Sequence, residues 1–225
     1  GKFLEFLREE LFPEIESAYR TQPHRILVGH SLGGLVALGA LLDTPDMFQS
    51  YIAMNPSLWW DNQVLVRRAK NEFHTAQKRR GSVYISLAHH PDSSFIDTGK
   101  IDEATRTFAE YLHSAASPGF RSMLEYFEAK DHSSVSLLSL YHGLLFNFEG
   151  YKPSSEDFLE QPAAVRAHFE RISDRLGVVL LPPEVLVIQL GYTLLYETKD
   201  VDGAIELFKL NVSNYPESCH VWDSL

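Results

Sequence analysis

One cysteine, Cys219, stands in 225 residues, so the chain can form no internal disulfide and must hold its fold by a packed core. No apolar stretch reaches membrane-spanning length. The richest runs are interrupted by Gly33, Gly34 and Gly39 or by Pro182 and Pro183, whereas a spanning helix needs about 20 consecutive apolar residues. Positive charge is also scarce: 20 Lys and Arg stand against 30 Asp and Glu, a formal charge of −10. That balance disfavours a general role on nucleic acid or on anionic membranes. No basic segment followed by an apolar run opens the sequence, so no secretory signal is visible. Together these absences describe a soluble chain, cytoplasmic or periplasmic. It opens in the lead-in to a helix and stops inside a motif, which suggests a piece of a longer protein.

What is present is enough for a buried core, with 44% hydrophobic residues and a length that suits one large domain or one and a half. The most informative stretch is Gly29-His30-Ser31-Leu32-Gly33-Gly34. Before it, Arg25 to Val28 reads as a buried strand of a parallel sheet, and after it Leu35 to Leu42 reads as a buried helix. A Gly-x-Ser-x-Gly between strand and helix is the context of a nucleophile elbow, where a strained serine presents its hydroxyl above the sheet. Gly29 and Gly33 are expected there because side chains two residues either side of the serine would collide. The Leu32 backbone amide, at the helix N-terminus, would face a developing oxyanion.

The rest of the first two-thirds alternates strand and helix. Phe3 to Tyr19 has helical spacing, and Pro13 should kink or restart that helix. Further strands are expected at Tyr51 to Met54, Val83 to Leu87 and Ser122 to Glu128. Helices are expected over 65–80, 102–115 and 135–148, the last capped by Ser133 or Ser134. This order predicts an α/β fold with a mainly parallel sheet and a site at the carboxyl ends of its strands. Ser31 and His132 both fall there.

A serine hydroxyl needs an adjacent base. With the order serine, acid, histidine, His132 follows the last strand and precedes a helix, a place no other of the ten histidines occupies. His24 reads as a turn residue and His142 as a satisfied, partly buried imidazole on a helix. The acid is the weakest assignment. Asp92, near the end of the third strand, is the first candidate, ahead of Asp97, and a serine–histidine dyad is an equal alternative. Asp131 is too close in sequence to orient His132 easily. The run His89-His90-Pro91-Asp92 could suggest a metal, but adjacent histidines on a strand point to opposite sides. No metal or cofactor is expected. Trp59 and Trp60 follow a strand end and could form an aromatic wall over the serine, or could be loop packing.

Composition shifts near Gly150. Residues 151–183 read as a helical linker, with Val165, Phe169, Ile172 and Leu176 on one helix face. From 184 to 225, Ala204, Phe208, Pro216, Trp222 and Leu225 keep the offsets of a tetratricopeptide repeat (TPR), cut short at the end. A protein partner would be its use.

Residues 1 to about 150 resemble the family named putative esterase, within the α/β-hydrolases. The resemblance rests on Phe3-Leu4, Glu10 to Pro13, Tyr19-Arg20, the elbow with its strand, Asn55-Pro56-Ser57-Leu58-Trp59-Trp60 and Asp131-His132-Ser133-Ser134-Val135. The likeness is greatest to enterochelin-esterase or IroE-like serine hydrolases, some of which carry a C-terminal TPR extension. It implies a three-layer α/β-hydrolase sandwich, Ser31 as nucleophile, His132 as base, and action on small-molecule carboxylic esters, with siderophore trilactones as one substrate class. Two departures stand out. His89-His90 fill a slot where many members carry a carboxylate, and the first part of the family's sheet, with the second oxyanion amide, would lie before Gly1. Loss of one oxyanion donor costs about 100- to 1,000-fold in turnover. The resulting expectation is a serine esterase; the rival readings are a non-catalytic scaffold that binds a partner through its repeats, and an acyltransferase.

Overall fold

Four runs rich in β-branched and aromatic residues pair into one parallel sheet: β1 (Ile26–His30), β2 (Ser50–Met54), β3 (Gly81–Ala88) and β4 (Phe120–Phe127). Their spatial order is β1-β2-β3-β4, with Leu27 opposite Tyr51, Tyr51 opposite Val83 and Ile85 opposite Leu124. The computed structural model describes residues 1–74, 80–89, 98–115, 119–151 and 155–225. It divides into two units, Gly1–Phe148 and Glu149–Leu225.

Parallel neighbours need a crossover between strands, and α3 (Leu32–Asp43), α4 (Trp60–His74) and α5 (Thr98–Ser114) supply the three. The central strands carry apolar residues on both faces because both faces are covered. Tyr51, Ala53, Val83 and Ile85 pack with Leu38, Leu41, Val66 and Phe108 from those helices. The alternate residues Ile52, Met54 and Tyr84 pack on the other face with Phe146 of α6 (Ser136–Asn147). The result is the α/β fold with a parallel four-stranded sheet that the alternation predicts.

Local details refine the expectations. The N-terminal helix restarts as Pro13 requires: α1 (Lys2–Phe6) runs into a π-helical turn at Leu7–Leu11, and α2 (Phe12–Ala18) begins with the proline in its first turn, where the missing N–H costs nothing. Neither Ser133 nor Ser134 caps α6. Its N-cap is Val135, and the Ser134 hydroxyl donates instead to Asp131 Oδ1 at 2.9 Å. His142, on α6, is satisfied as expected, with Nδ1 at 2.9 Å from Glu125 Oε1. Tyr84 donates its hydroxyl to the same carboxylate at 2.5 Å. Burial, and then the neighbouring Glu125, push the Tyr84 phenol up from its ordinary range.

The second unit is helical: α7 (Ser155–Glu160), α8 (Ala164–Leu176), α9 (Glu184–Thr193), a π-helical turn at Leu194–Thr198, α10 (Val201–Asn214) and α11 (Cys219–Ser224). Val165, Phe169, Ile172 and Leu176 are all buried, as their spacing on α8 predicts. Phe158, Val165 and Phe169 share one core with Val187, Leu190, Leu207 and Phe208 of the α9–α10 pair. Asp200 caps α10 by accepting the Gly203 N–H at 3.0 Å. The two helices approach closely because Gly191 has no side chain; a Cβ there would lie 2.3 Å from Phe208 Cε1.

Gly191→Ala should therefore destabilise the helical unit by about 1–3 kcal/mol, the usual range for overpacking. Phe208→Leu, destabilising alone, should cost less in the Gly191→Ala background. Urea midpoints of the four proteins in this double-mutant cycle measure the coupling, and additive losses would show that the two positions do not meet.

Candidate active site

β1 ends at His30, α3 starts at Leu32, and the whole reversal falls on Ser31, whose φ of 59° and ψ of −119° lie in a region that L-residues avoid. Backbone bonds hold it there. The Ser31 N–H donates to Met54 O at 3.0 Å, and Ser31 O accepts from Leu35 N at 3.1 Å and Ser57 N at 3.0 Å. Gly29 is essential to the turn, since a Cβ would sit 2.0 Å from Gly33 O, a backbone atom that cannot move aside. The expectation for Gly33 needs correction: a Cβ there would meet nothing within 4 Å. Gly33 contributes the backbone that Gly29 approaches. It is Gly34 whose Cβ would press on Pro56 Cβ, at 2.9 Å. Leu32 opens α3, where the first amides have no carbonyl of the helix to bond.

His132 lies in the segment between β4 and α6, 101 residues from Ser31 in sequence, and its Nε2 stands 3.0 Å from Ser31 Oγ. The sequence order of serine and histidine thus brings the two side chains together at the carboxyl end of the sheet. Ser57 is a further neighbour, its Oγ 3.3 Å from that of Ser31.

Two residues near His132 escaped the sequence reading. Asn55 is buried, takes a left-handed backbone with φ 43°, and places Nδ2 2.6 Å from His132 Nδ1 while its Oδ1 accepts the Ala88 N–H at 3.0 Å. An amide nitrogen donates, so this contact suits the tautomer with a lone pair on Nδ1. His30 donates Nε2–H to the backbone carbonyl of His132 at 2.7 Å, and the two rings lie 4.6 Å apart, centre to centre. In the sequence both stand among the residues that carry the family resemblance, one after a strand and the other before the serine, with no role assigned to either.

Asp131 does not orient His132 but shapes its loop. Its Oδ1 accepts from Ser134 N at 2.8 Å, Ser134 Oγ at 2.9 Å and Ser133 N at 3.0 Å. The Ser134 amide first, then its hydroxyl and the Ser133 amide, hold the carboxyl below its ordinary range. Asp92, Asp97 and His90 lie outside the described residues. His89 is exposed, its Nδ1 3.4 Å from the Tyr126 hydroxyl. Trp59, half-buried, and Trp60, exposed, meet edge to face at 5.8 Å. The next three residues, Asp61 to Gln63, have positive φ. Among the described residues no group of three or more His, Cys, Asp or Glu could hold a metal, and no helix is long and apolar enough to cross a membrane.

A strained serine, an imidazole within hydrogen-bond reach of it and a free helix-terminal amide form the arrangement of acyl-transfer chemistry. The comparison with known families agrees: residues 1–133 match the family described as Putative esterase. The chain belongs to this family. Among curated proteins it is 31% identical over 151 residues to the ferri-bacillibactin esterase BesA of Bacillus subtilis, covering 64% of this chain and 50% of that protein. It is 29% identical over 170 residues to the siderophore triacetylfusarinine C esterase of Aspergillus fumigatus, covering 66% of this chain and 58% of that protein. The chain thus spans little more than half the length of these esterase relatives. A solved IroE-like serine hydrolase from Shewanella oneidensis superposes with a TM-score of 0.79 at 28% identity, over 95% of this chain and 67% of that one.

For this esterase-family chain, the Asp131 contacts predict a pH-dependent loop. Because the folded carboxyl is held low, its contribution is fully present above the ordinary Asp value of about 3.9 and is lost as pH falls through the depressed folded value. Amide hydrogen exchange at Ser133 and Ser134, corrected for intrinsic rates, should lose protection in that acid range. Asp131→Ala should lose the same protection already at pH 7; unchanged protection in that variant would refute the assignment.

Proposed function

We propose that the protein is a serine esterase with Ser31 as nucleophile and His132 as general base. The observation that carries this reading is the 3.0 Å approach of His132 Nε2 to a serine hydroxyl held in strained backbone geometry at a strand-to-helix turn. In the tautomer with its ring proton on Nδ1, the opposite of the one the Asn55 contact suits, His132 takes the Ser31 proton as Oγ attacks the ester carbonyl. The Leu32 N–H stabilises the tetrahedral oxyanion, and the imidazolium returns the proton to the leaving alcohol. Water then attacks the acyl-serine by the same route, releasing the acid and restoring Ser31. The chemistry calls for no metal or cofactor.

Siderophore-like esters are the substrate class this reading favours. Two relatives, BesA and the triacetylfusarinine C esterase, carry that activity in their names. Trp59 and Trp60 supply aromatic surface one turn beyond Ser57, suited to an apolar part of such a substrate. Residues 1–150 form the hydrolase domain in this reading. The α9–α10 pair with α11 is taken as one TPR unit and the start of the next, with a protein partner as its occupant. Support for the repeat comes from Ala204 and Phe208, which face the core, and from the Trp222 indole, which donates to Pro216 O at 2.9 Å.

Hydrolysis of p-nitrophenyl butyrate and labelling by a fluorophosphonate test the assignment. Ser31→Ala should abolish labelling, and Ser31→Ala and His132→Ala should each lower kcat by about 10⁴-fold or more, as loss of such residues does in other serine hydrolases. Retained labelling in Ser31→Ala would place the nucleophile elsewhere. A wild-type protein that neither labels nor hydrolyses would leave the scaffold reading in its place.

A further inference from the structure

The two segments that meet at the site are attached to the fold in different ways. Ser31 is fixed by the backbone of β1, α3 and β2. The segment carrying His132 is exposed on both sides, with Glu128, Ala129, Asp131, Ser133 and Ser134 all facing solvent. Within the segment, Lys130 N–H bonds to Phe127 O, Val135 N–H to Asp131 O, and Asp131 to Ser133 and Ser134, while Asn55 Nδ2 meets the His132 ring from outside it at 2.6 Å. Local bonds give the loop a shape but do not set its distance from the serine. A bond from the elbow to the main chain of the loop bears on that distance directly.

His30 provides one. It is the last residue of β1 and the residue next to Ser31, so its backbone moves with the nucleophile. Its side chain reaches across to the main-chain carbonyl of His132 at 2.7 Å, a separation of 102 residues in sequence. A carbonyl can only accept, so Nε2 of His30 carries a proton and donates it. The rings of His30 and His132 also pack against one another, 4.6 Å apart and tilted by 36°. The bond therefore fixes the main chain of His132, and the ring contact limits how its imidazole can swing.

We propose that His30 is a positioning residue that locks the His132 loop to the nucleophile elbow and so sets the Ser31–His132 distance. Its effect on turnover rests on the esterase reading, whereas its effect on the loop does not. A misplacement of about 1 Å in a reacting pair can cost about 100-fold in rate. Loss of the tie should therefore fall on kcat and leave substrate binding nearly alone.

The test compares wild type with His30→Leu, which keeps bulk but has no donor, and His30→Gln, whose amide N–H can reach a carbonyl. kcat and KM for p-nitrophenyl butyrate are measured per fluorophosphonate-titrated site, so that misfolded protein does not count. Hydrogen exchange is read over residues 131–135, and thermal midpoints are taken alongside. His30→Leu should lower kcat by about 10- to 100-fold with KM within about twofold, and should lose protection over 131–135. His30→Gln should recover a large part of both. Wild-type kcat and protection in His30→Leu would overturn the proposal. So would a loss that Gln does not restore, or one that spreads evenly over the chain with a lowered thermal midpoint. If the wild type is silent towards ester and label, the esterase reading fails on its own, and the exchange measurements still decide whether His30 holds the loop.

Discussion

The close approach of Gly29 to Gly33 is the constraint on which the site depends. At that point a strand running up through the sheet reverses into α3 with no intervening loop, and the two backbones come so near that a methyl group would overlap a carbonyl oxygen. The reversal leaves Ser31 as the only residue to absorb the change of direction, which is why it takes a φ of 59°. Such a conformation costs about 1–3 kcal/mol and persists only where the surroundings impose it. Here they do: three backbone hydrogen bonds tie Ser31 to β2, to α3 and to the turn after β2. The strain is thus repaid by the sheet.

The histidine is held by a different kind of force. The residues around it are largely exposed. Side-chain hydrogen bonds, each worth about 0.5–1.5 kcal/mol net, contribute to holding it: His30 donates to its carbonyl, and Asp131 accepts from the Ser134 N–H within the same loop. Asn55 adds a contact at the imidazole itself and is well placed to do so. It is buried, and its backbone N–H donates to Ser86 O at 3.0 Å while Ser139 of α6 donates to Ser86 Oγ at 2.7 Å. The left-handed turn at Asn55 is therefore anchored to β3 and α6, and the side chain is aimed by the sheet. One half of the site is set by backbone sterics and the other by polar contacts that compete with water, so the second half is the more responsive to substitution and pH.

This division explains which parts of the molecule were legible in the sequence. The first three strands stood out because a sheet covered on both faces needs apolar residues at nearly every position, and the fourth by its alternation of apolar and polar residues. The elbow stood out because backbone crowding demands glycine at fixed offsets, although that logic applies to Gly29 and Gly34 and not to Gly33. His132 was found from its order relative to the strands. Asn55, His30 and the true role of Asp131 were not. Asn and Asp after a strand are ordinary turn residues, and nothing local marks Asn55 as the neighbour of a histidine 77 positions away. The expected cap at Ser134 failed for a related reason: the Asp131 carboxylate, three residues back, offers its hydroxyl a charge-assisted bond, which is stronger than a cap between neutral groups.

In the proposed mechanism the Asn55 contact also bears on the resting state of His132. Its amide nitrogen faces Nδ1 of His132 and can only donate, so it favours a lone pair on Nδ1 and a proton on Nε2. In that tautomer Nε2 donates to Ser31 Oγ, and the serine gains no nucleophilicity from it. Activation requires the opposite arrangement, with the proton on Nδ1 and the lone pair turned to the serine. In the imidazolium formed during attack, Nδ1–H meets the amide N–H head on, so the Asn55 contact weighs against that state too. Asn55 therefore places the ring without supplying the electrostatic help that a carboxylate gives an imidazolium.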